Sequence, residues 1–273
     1  MSELLKMTGI GKSFGPVRAL NNVCLTLQAG EVLALMGENG AGKSTLMNIL
    51  SGSLLHYEGD IYIDGKREQI GSPIAARCLG IAKIHQELQM VKELSIAENM
   101  FMGREKTNKM GFVDKRLQEQ EAIKYLDLLD LNLNPRRLLK SLRVGEQQMV
   151  EIAKAISMNA RILIMDEPTS AISKAETEQL FKVIRRLSSE GVGIIYITHR
   201  MEEVFEIADR LTVLRDGEYI DTVSARETDR NQIVSMMVGR EIRDMYPKDT
   251  VEIGEEILRV EHLNLKAKQG SSC

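Results

Sequence analysis

Gly37 to Thr45 reads GENGAGKST, which fits the pattern G-x-x-x-x-G-K-[ST]. Residues of these types at this spacing hold phosphate. Glycines let backbone N–H groups wrap an anion, and a following helix N-terminus adds positive potential. Lys43 is placed to reach the β- and γ-phosphates, and Ser44 offers a hydroxyl to Mg²⁺. The nucleotide-binding set read here is Gly37, Glu38, Asn39, Gly40, Ala41, Gly42, Lys43, Ser44 and Thr45.

A second cluster ends the apolar run ILIMDE, Ile162 to Glu167. Charges at the end of a buried strand are costly unless they serve a cation or a reaction. Asp166 suits Mg²⁺ through water, and Glu167 is placed to polarise an attacking water. The plainer reading is a strand-end acid pair that caps a loop; a phosphate loop beside it favours the chemical one.

A third stretch, LKSLRVGEQQMVEIAKAIS from Leu139 to Ser157, contains a helix with Met149, Ile152, Ala153 and Ile156 as its apolar stripe. In the turn before it Gly145 lies between Arg143 and Glu146. A glycine there allows a close backbone approach, and first-turn N–H groups attract anions. Glu146 opposes an anion. Either nothing anionic binds at this turn, or the site has been altered.

The elements that must position these residues follow from periodicity. EVLALMG and VGIIYITHR read as buried strands, NNVCLTLQAG and GDIYIDG as alternating ones. GIAKIHQEL reads as a strand followed by a polar loop. KSTLMNILSG reads as a helix closed by Gly52, and KAETEQLFKVIRRLSSEG as an amphipathic helix with Leu180, Val183, Ile184 and Leu187 on one face. EEVFEIADR and NQIVSMMVG read as short helices around a hairpin turned at Asp216–Gly217. Buried strands alternating with helices predict a mainly parallel sheet, with an antiparallel sheet beside it and a helical insertion over residues 90–157.

Composition narrows the class. A net charge of -3 with no basic patch gives no support to a nucleic-acid partner. The N-terminus has no signal-peptide layout and no apolar run is long enough for a bilayer, so a cytoplasmic chain is expected. Cys24, Cys78 and Cys273 are far apart, which argues against a disulfide framework or zinc site. Cys24 and Cys78 are expected in or near packed elements; Cys273 ends a GSSC tail.

The order of phosphate loop, HQE, glycine turn, LIMDEPTSAIS and YITHR, from about Leu4 to Gly239, resembles the ATP-binding subunit of ABC transporters. The resemblance implies an α/β fold: a P-loop NTPase core, an antiparallel β subdomain and a helical subdomain. It implies ATP and Mg²⁺ as ligands. Glu167, His199 and Lys43 become the catalytic set, with His199 as the switch histidine at the γ-phosphate. Gln86 joins Ser44 and Asp166 at the metal and reports to the membrane subunit. Phe14 resembles the aromatic that stacks on adenine; its alternative is a core Phe. Ser170 to Ser173 resembles the loop through which paired domains communicate. His56, His85 and His262 carry no such context and are read as surface or structural.

The resemblance also places Arg143, Val144, Gly145 and Glu146. They lie where the family carries LSGGQ, a turn that acts in trans on ATP held by a partner domain. Leu142 and Gly145 are kept; Arg143 stands for the serine and Glu146 for the glutamine. The turn thus reads as an anion site altered in chemistry, in which Arg143 could compensate for Glu146 at the partner's phosphates. The alternative is a passive Arg143 and a Glu146 that merely suits its helix N-terminus.

GIGKSFGPVRALNNV, QQMVEIAKA, ITHRMEEVFEIADRLTVLRDGEYI and MMVGRE resemble the ATPases of bacterial simple-sugar importers of the ribose, galactose and xylose type. There, two ATPase domains lie in tandem. ELLKMTGI at Glu3 is echoed by EILRVEHL at Glu256, so residues 1–240 read as one ABC domain and 241–273 as a linker and first strand of a second. The implied role is powering monosaccharide import, peripheral at the cytoplasmic face of the plasma membrane. The implied partners are membrane permease subunits, a sugar-binding protein and a second ABC ATPase domain. Alternatives are a soluble ABC ATPase of translation or DNA repair, or an exporter ATPase.

Overall fold

The computed structural model describes residues 2–84, 90–239, 258, 259 and 261. The chain divides into two units, Met1–Glu241 and Ile242–Cys273. Most of the second unit lies outside the described residues, as do most of the echo that starts at Glu256 and all of His85, Gln86, His262 and Cys273.

Two sheets form the first unit. The antiparallel one consists of β1 (Glu3–Phe14), β2 (Val17–Gln28), β4 (Glu58–Ile63) and β5 (Lys66–Glu68), in the order β2-β1-β4-β5. The other has β3 (Val32–Met36), β6 (Ile81–Ile84), β7 (Ile162–Asp166), β8 (Gly193–Ile197), β9 (Arg210–Arg215) and β10 (Glu218–Ser224), ordered β10-β9-β3-β8-β7-β6. All its pairings are parallel except the β9–β10 hairpin.

The strands are buried on both faces because helices and the other sheet cover them. On β7 the pleat sends Ile162 and Ile164 one way, Leu163 and Met165 the other. The first pair joins a core with the antiparallel sheet and α1 (Lys43–Leu50). The second joins a core with α3 (Ile96–Phe101), α4 (Lys115–Leu128), α5 (Val144–Ile156) and α6 (Lys174–Ser189). The helices inserted between β6 and β7 therefore share one core with the sheet. Met149, Ile152, Ala153 and Ile156 are buried in it, as are Leu180, Val183, Ile184 and Leu187. α7 (Met201–Ile207) and α8 (Arg230–Val238) flank the hairpin.

Three local details differ from the sequence reading or extend it. α2 (Pro73–Cys78), capped by Ser72, and the short β5 had no periodic signal. Cys78 is exposed, because Ala76, two residues before it, occupies the helix's buried face. Gly145 is not in a turn before a helix but is the second residue of α5 itself. Among the described residues no helix is long and apolar enough to cross a membrane.

Candidate active site

β3, β8 and β7 lie side by side and parallel, so their C-terminal ends come together; Leu35 and Asp166 both register with Ile197. Ligands in open α/β sheets bind at such strand ends. β3 leads into the phosphate loop, β7 ends in Asp166 and Glu167, and β8 runs on to His199. A cleft of about 630 Å³ opens there. Every residue from Gly37 to Thr45 lines it, with Asp166, Glu167 and His199.

The loop glycines are demanded by crowding. Gly37 has a φ of 150°, and a Cβ on it would lie 2.3 Å from the Leu214 carbonyl oxygen. Gly42 has a φ of 96°, and a Cβ there would meet Leu20 Cδ2 at 2.6 Å. The loop is thus pressed between β9 and β2, and α1 starts with its unpaired first-turn amides at the cleft. Lys43 Nζ donates to the carbonyls of Gly37 (2.7 Å) and Glu38 (2.9 Å). Burial holds its amine below the ordinary lysine value, while Glu167 and Asp166 pull it back up. A half-buried ammonium hydrogen-bonded to loop carbonyls is well suited to take a phosphate oxygen.

Asp166 is buried at the end of β7. Glu167 follows in the left-handed region, φ 48°, with its N–H on the Ile197 carbonyl at 3.0 Å. Non-glycine residues in this region cost about 1–3 kcal/mol and gather at functional sites. Here the strain turns the Glu167 side chain out of the strand, where its Oε1 lies 3.1 Å from His199 Nδ1.

A buried carboxylate ties the two loops behind this pair. Glu203 on α7 accepts hydrogen bonds from Tyr196 Oη (2.9 Å), Thr198 Oγ1 (2.9 Å) and Thr169 Oγ1 (2.8 Å). Thr198 precedes His199, and Thr169 follows Glu167 by two residues. The phenol of Tyr196 is pushed far above its usual range, chiefly by burial and then by Glu203. In the sequence Glu203 is one acid among several in the short helix EEVFEIADR.

Serine hydroxyl and carboxylate oxygens are hard donors that suit Mg²⁺. Ser44 and Asp166 supply them to this cleft. Among the described residues no three His, Cys, Asp or Glu side chains gather as a metal cage. An ion held here would complete its shell with phosphate oxygens and water. Gln86, the third expected donor, lies outside the described residues.

The remaining sequence-predicted residues lie elsewhere. Phe14 ends β1 at 48% exposure, so it is not a core Phe, and Lys12 Nζ sits 5.4 Å above its ring. It does not line the phosphate-loop cleft. Arg143, Val144, Gly145 and Glu146 open α5. Glu146 accepts the Arg143 backbone N–H at 2.8 Å, so its carboxylate caps its own helix. Gly145 permits a close approach within the same chain: a Cβ there would lie 3.1 Å from Glu176 Oε2 and 3.4 Å from the Ala171 carbonyl. That carboxylate in turn accepts the Ser173 N–H at 2.7 Å at the start of α6. The start of α5 therefore packs on the loop Ser170–Ser173.

Known proteins share this architecture. The ADP conformation of MJ1267, an ATP-binding cassette of an ABC transporter, aligns with a TM-score of 0.76 at 27% identity, over 88% of this chain and all of that one. A nucleotide-free ATP-binding cassette from an ABC transporter gives 0.75 at 27% identity, over 87% of this chain and 96% of that one. The chain is 53% identical over 266 residues to a ribose import ATP-binding protein, RbsA, of Caldanaerobacter subterraneus subsp. tengcongensis, covering 97% of this chain and 54% of that protein. It is 48% identical to a putative ribose/galactose/methyl galactoside import ATP-binding protein of Agrobacterium fabrum, over 96% of this chain and 51% of that protein. The chain thus spans about half the length of the curated relatives it matches. Residues 20–170, more than half of the chain and including the phosphate loop and both strand-end acids, match the ABC transporter family, and the chain belongs to that family.

Proposed function

We propose that this chain binds and hydrolyses ATP to power import of a monosaccharide through a membrane permease, at the cytoplasmic face of the membrane. The observation that carries the reading is the convergence of Lys43, Asp166, Glu167 and His199 on the cleft walled by Gly37–Thr45. Sugar import is supported by relatives named as ribose import ATP-binding proteins, whose likeness extends over nearly all of this chain. Residues 241–273 are read as a linker and the start of a second ABC domain, in keeping with relatives about twice as long.

In this reading the loop amides and Lys43 hold the phosphates, and the Lys43 ammonium moves from the Gly37 and Glu38 carbonyls to the β,γ-oxygens. Ser44, Asp166 and Gln86 would hold Mg²⁺, which supplies charge neutralisation at those oxygens. Glu167 accepts the proton of the attacking water. His199 orients Glu167 and senses the γ-phosphate. Phe14 would stack on the adenine. Arg143 to Glu146 serve the nucleotide of a partner ABC domain. A sugar-binding protein delivers the substrate to the permease.

Titration with a fluorescent ATP analogue tests the first step. Lys43→Ala should abolish affinity through the loss of several charge-assisted contacts. Unchanged affinity would overturn the nucleotide reading. Co-purification of the full-length protein with permease subunits, and sugar-stimulated hydrolysis in vesicles, test the import reading; association with ribosomes or DNA instead would overturn it.

A further inference from the structure

Lys83 lies in a strand that is otherwise apolar, Ile81–Ile84, where it pairs in register with Ile164 of β7. Its side chain is 6% exposed. A lysine so placed is rare unless its charge is met. Its Nζ donates to Asn48 Oδ1 at 2.8 Å and lies 3.6 Å from Asp166 Oδ2. Asn48 belongs to α1, the helix opened by the phosphate loop. One ammonium thus joins that helix to the acid placed for the metal. Burial pulls Lys83 below the ordinary lysine value, and Asp166 offsets part of that. An apolar side chain would pack in this strand without that cost.

The position has an electrostatic consequence. A bare carboxylate at the cleft repels nucleotide phosphates, and a divalent ion ordinarily removes the repulsion. A fixed cation behind Asp166 removes part of it in advance, and it weakens the carboxylate's attraction for the ion by the same field.

We infer that Lys83 is a positioning residue for Asp166, a built-in counter-cation that steadies the carboxylate and makes ATP binding depend less on Mg²⁺ than a neutral side chain would. The inference rests on the ATP reading above. The measurement is the ratio of ATP dissociation constants in EDTA and in excess Mg²⁺, on the 273-residue chain. Lys83→Met and Lys83→Gln should raise that ratio about tenfold, mostly by weakening metal-free binding, since a unit charge a few ångströms away in a partly dry site has an effect of that order. Lys83→Arg should keep the ratio near the parent's. A ratio unchanged in the neutral variants, with both affinities weakened together, marks a packing role and overturns the inference. The parent chain is a readout in itself: it should bind ATP measurably in EDTA, and binding seen only with Mg²⁺ overturns the inference without any variant. Failure of the parent to bind ATP under either condition strikes at the nucleotide reading instead.

Discussion

Glu167 reaches His199 from a left-handed backbone: with a φ of 48° it sets its Oε1 3.1 Å from the imidazole Nδ1. A glutamate that continued the strand conformation of Asp166 would send its side chain elsewhere. The strained residue and the histidine are held by neighbours that share one acceptor, Glu203.

Glu167→Gln should leave ATP affinity intact and cut single-turnover hydrolysis by roughly a hundredfold or more, because the change removes a proton acceptor needed only in the transition state. Rapid-quench measurements on a competent full-length assembly are the check. Normal turnover at the substituted site would remove Glu167 from the role of base.

Glu203→Leu should lower stability by about 2–4 kcal/mol, since it strands the buried hydroxyls of Tyr196, Thr198 and Thr169. Glu203→Gln, which retains one acceptor oxygen, should lose less. Urea denaturation reads both; equal midpoints for parent and leucine variant would mean the three hydroxyls find other acceptors.

Glu146→Ala should cost about 0.5–1 kcal/mol through the lost cap of α5, whereas Glu146→Gln should be nearly neutral. If the alanine variant melts like the parent, the capping bond contributes nothing in solution. Should Arg143→Ser with Glu146→Gln raise hydrolysis in a full-length assembly, the turn also attenuates the partner's site. No change would leave helix capping as the only role of Glu146.

Glu98 gives a pH dependence. Hydrogen bonds from the Ser95 backbone and side chain, then Lys115, lower its carboxyl from 4.5 to about 2. A carboxyl depressed by folding contributes stability that is present above its unfolded value and fades as pH falls toward the folded one. The window is therefore pH 4.5 down to 2. Thermal melts across it should show a smaller acid loss in Glu98→Ala than in the parent; identical slopes would mean Ser95 does not hold the charged form.

The candidate site was legible in the sequence where a residue type is forced by the backbone. Gly37 and Gly42 have no room for a Cβ, and Asp166 and Glu167 stand at the end of an apolar strand. The helical period of α6 and the unbroken apolar run of β8 made those elements plain. What escaped notice depends on distant partners. Glu203 looks like any acid of a short helix until Tyr196, Thr198 and Thr169 are folded around it. Lys83 was visible as a cation inside IAKI, but its partners Asn48 and Asp166 lie 35 residues back and on another strand. Gly145 is a point of close approach within this chain, where Glu176 and Ala171 crowd it, and those neighbours outside its own helix were not visible in the sequence.

The shared core between the sheet and α3–α6 bears on how such a chain can be cut and spliced. Leu163, Met165, Ile194 and Tyr196 share that core with side chains from the inserted helices and α6. Excising that segment would expose these residues to water, and grafting it into a foreign scaffold would leave its own apolar face uncovered. Exchange between relatives should therefore succeed only when strand and helix are swapped as matched halves, which makes the insertion a dependent part of its sheet.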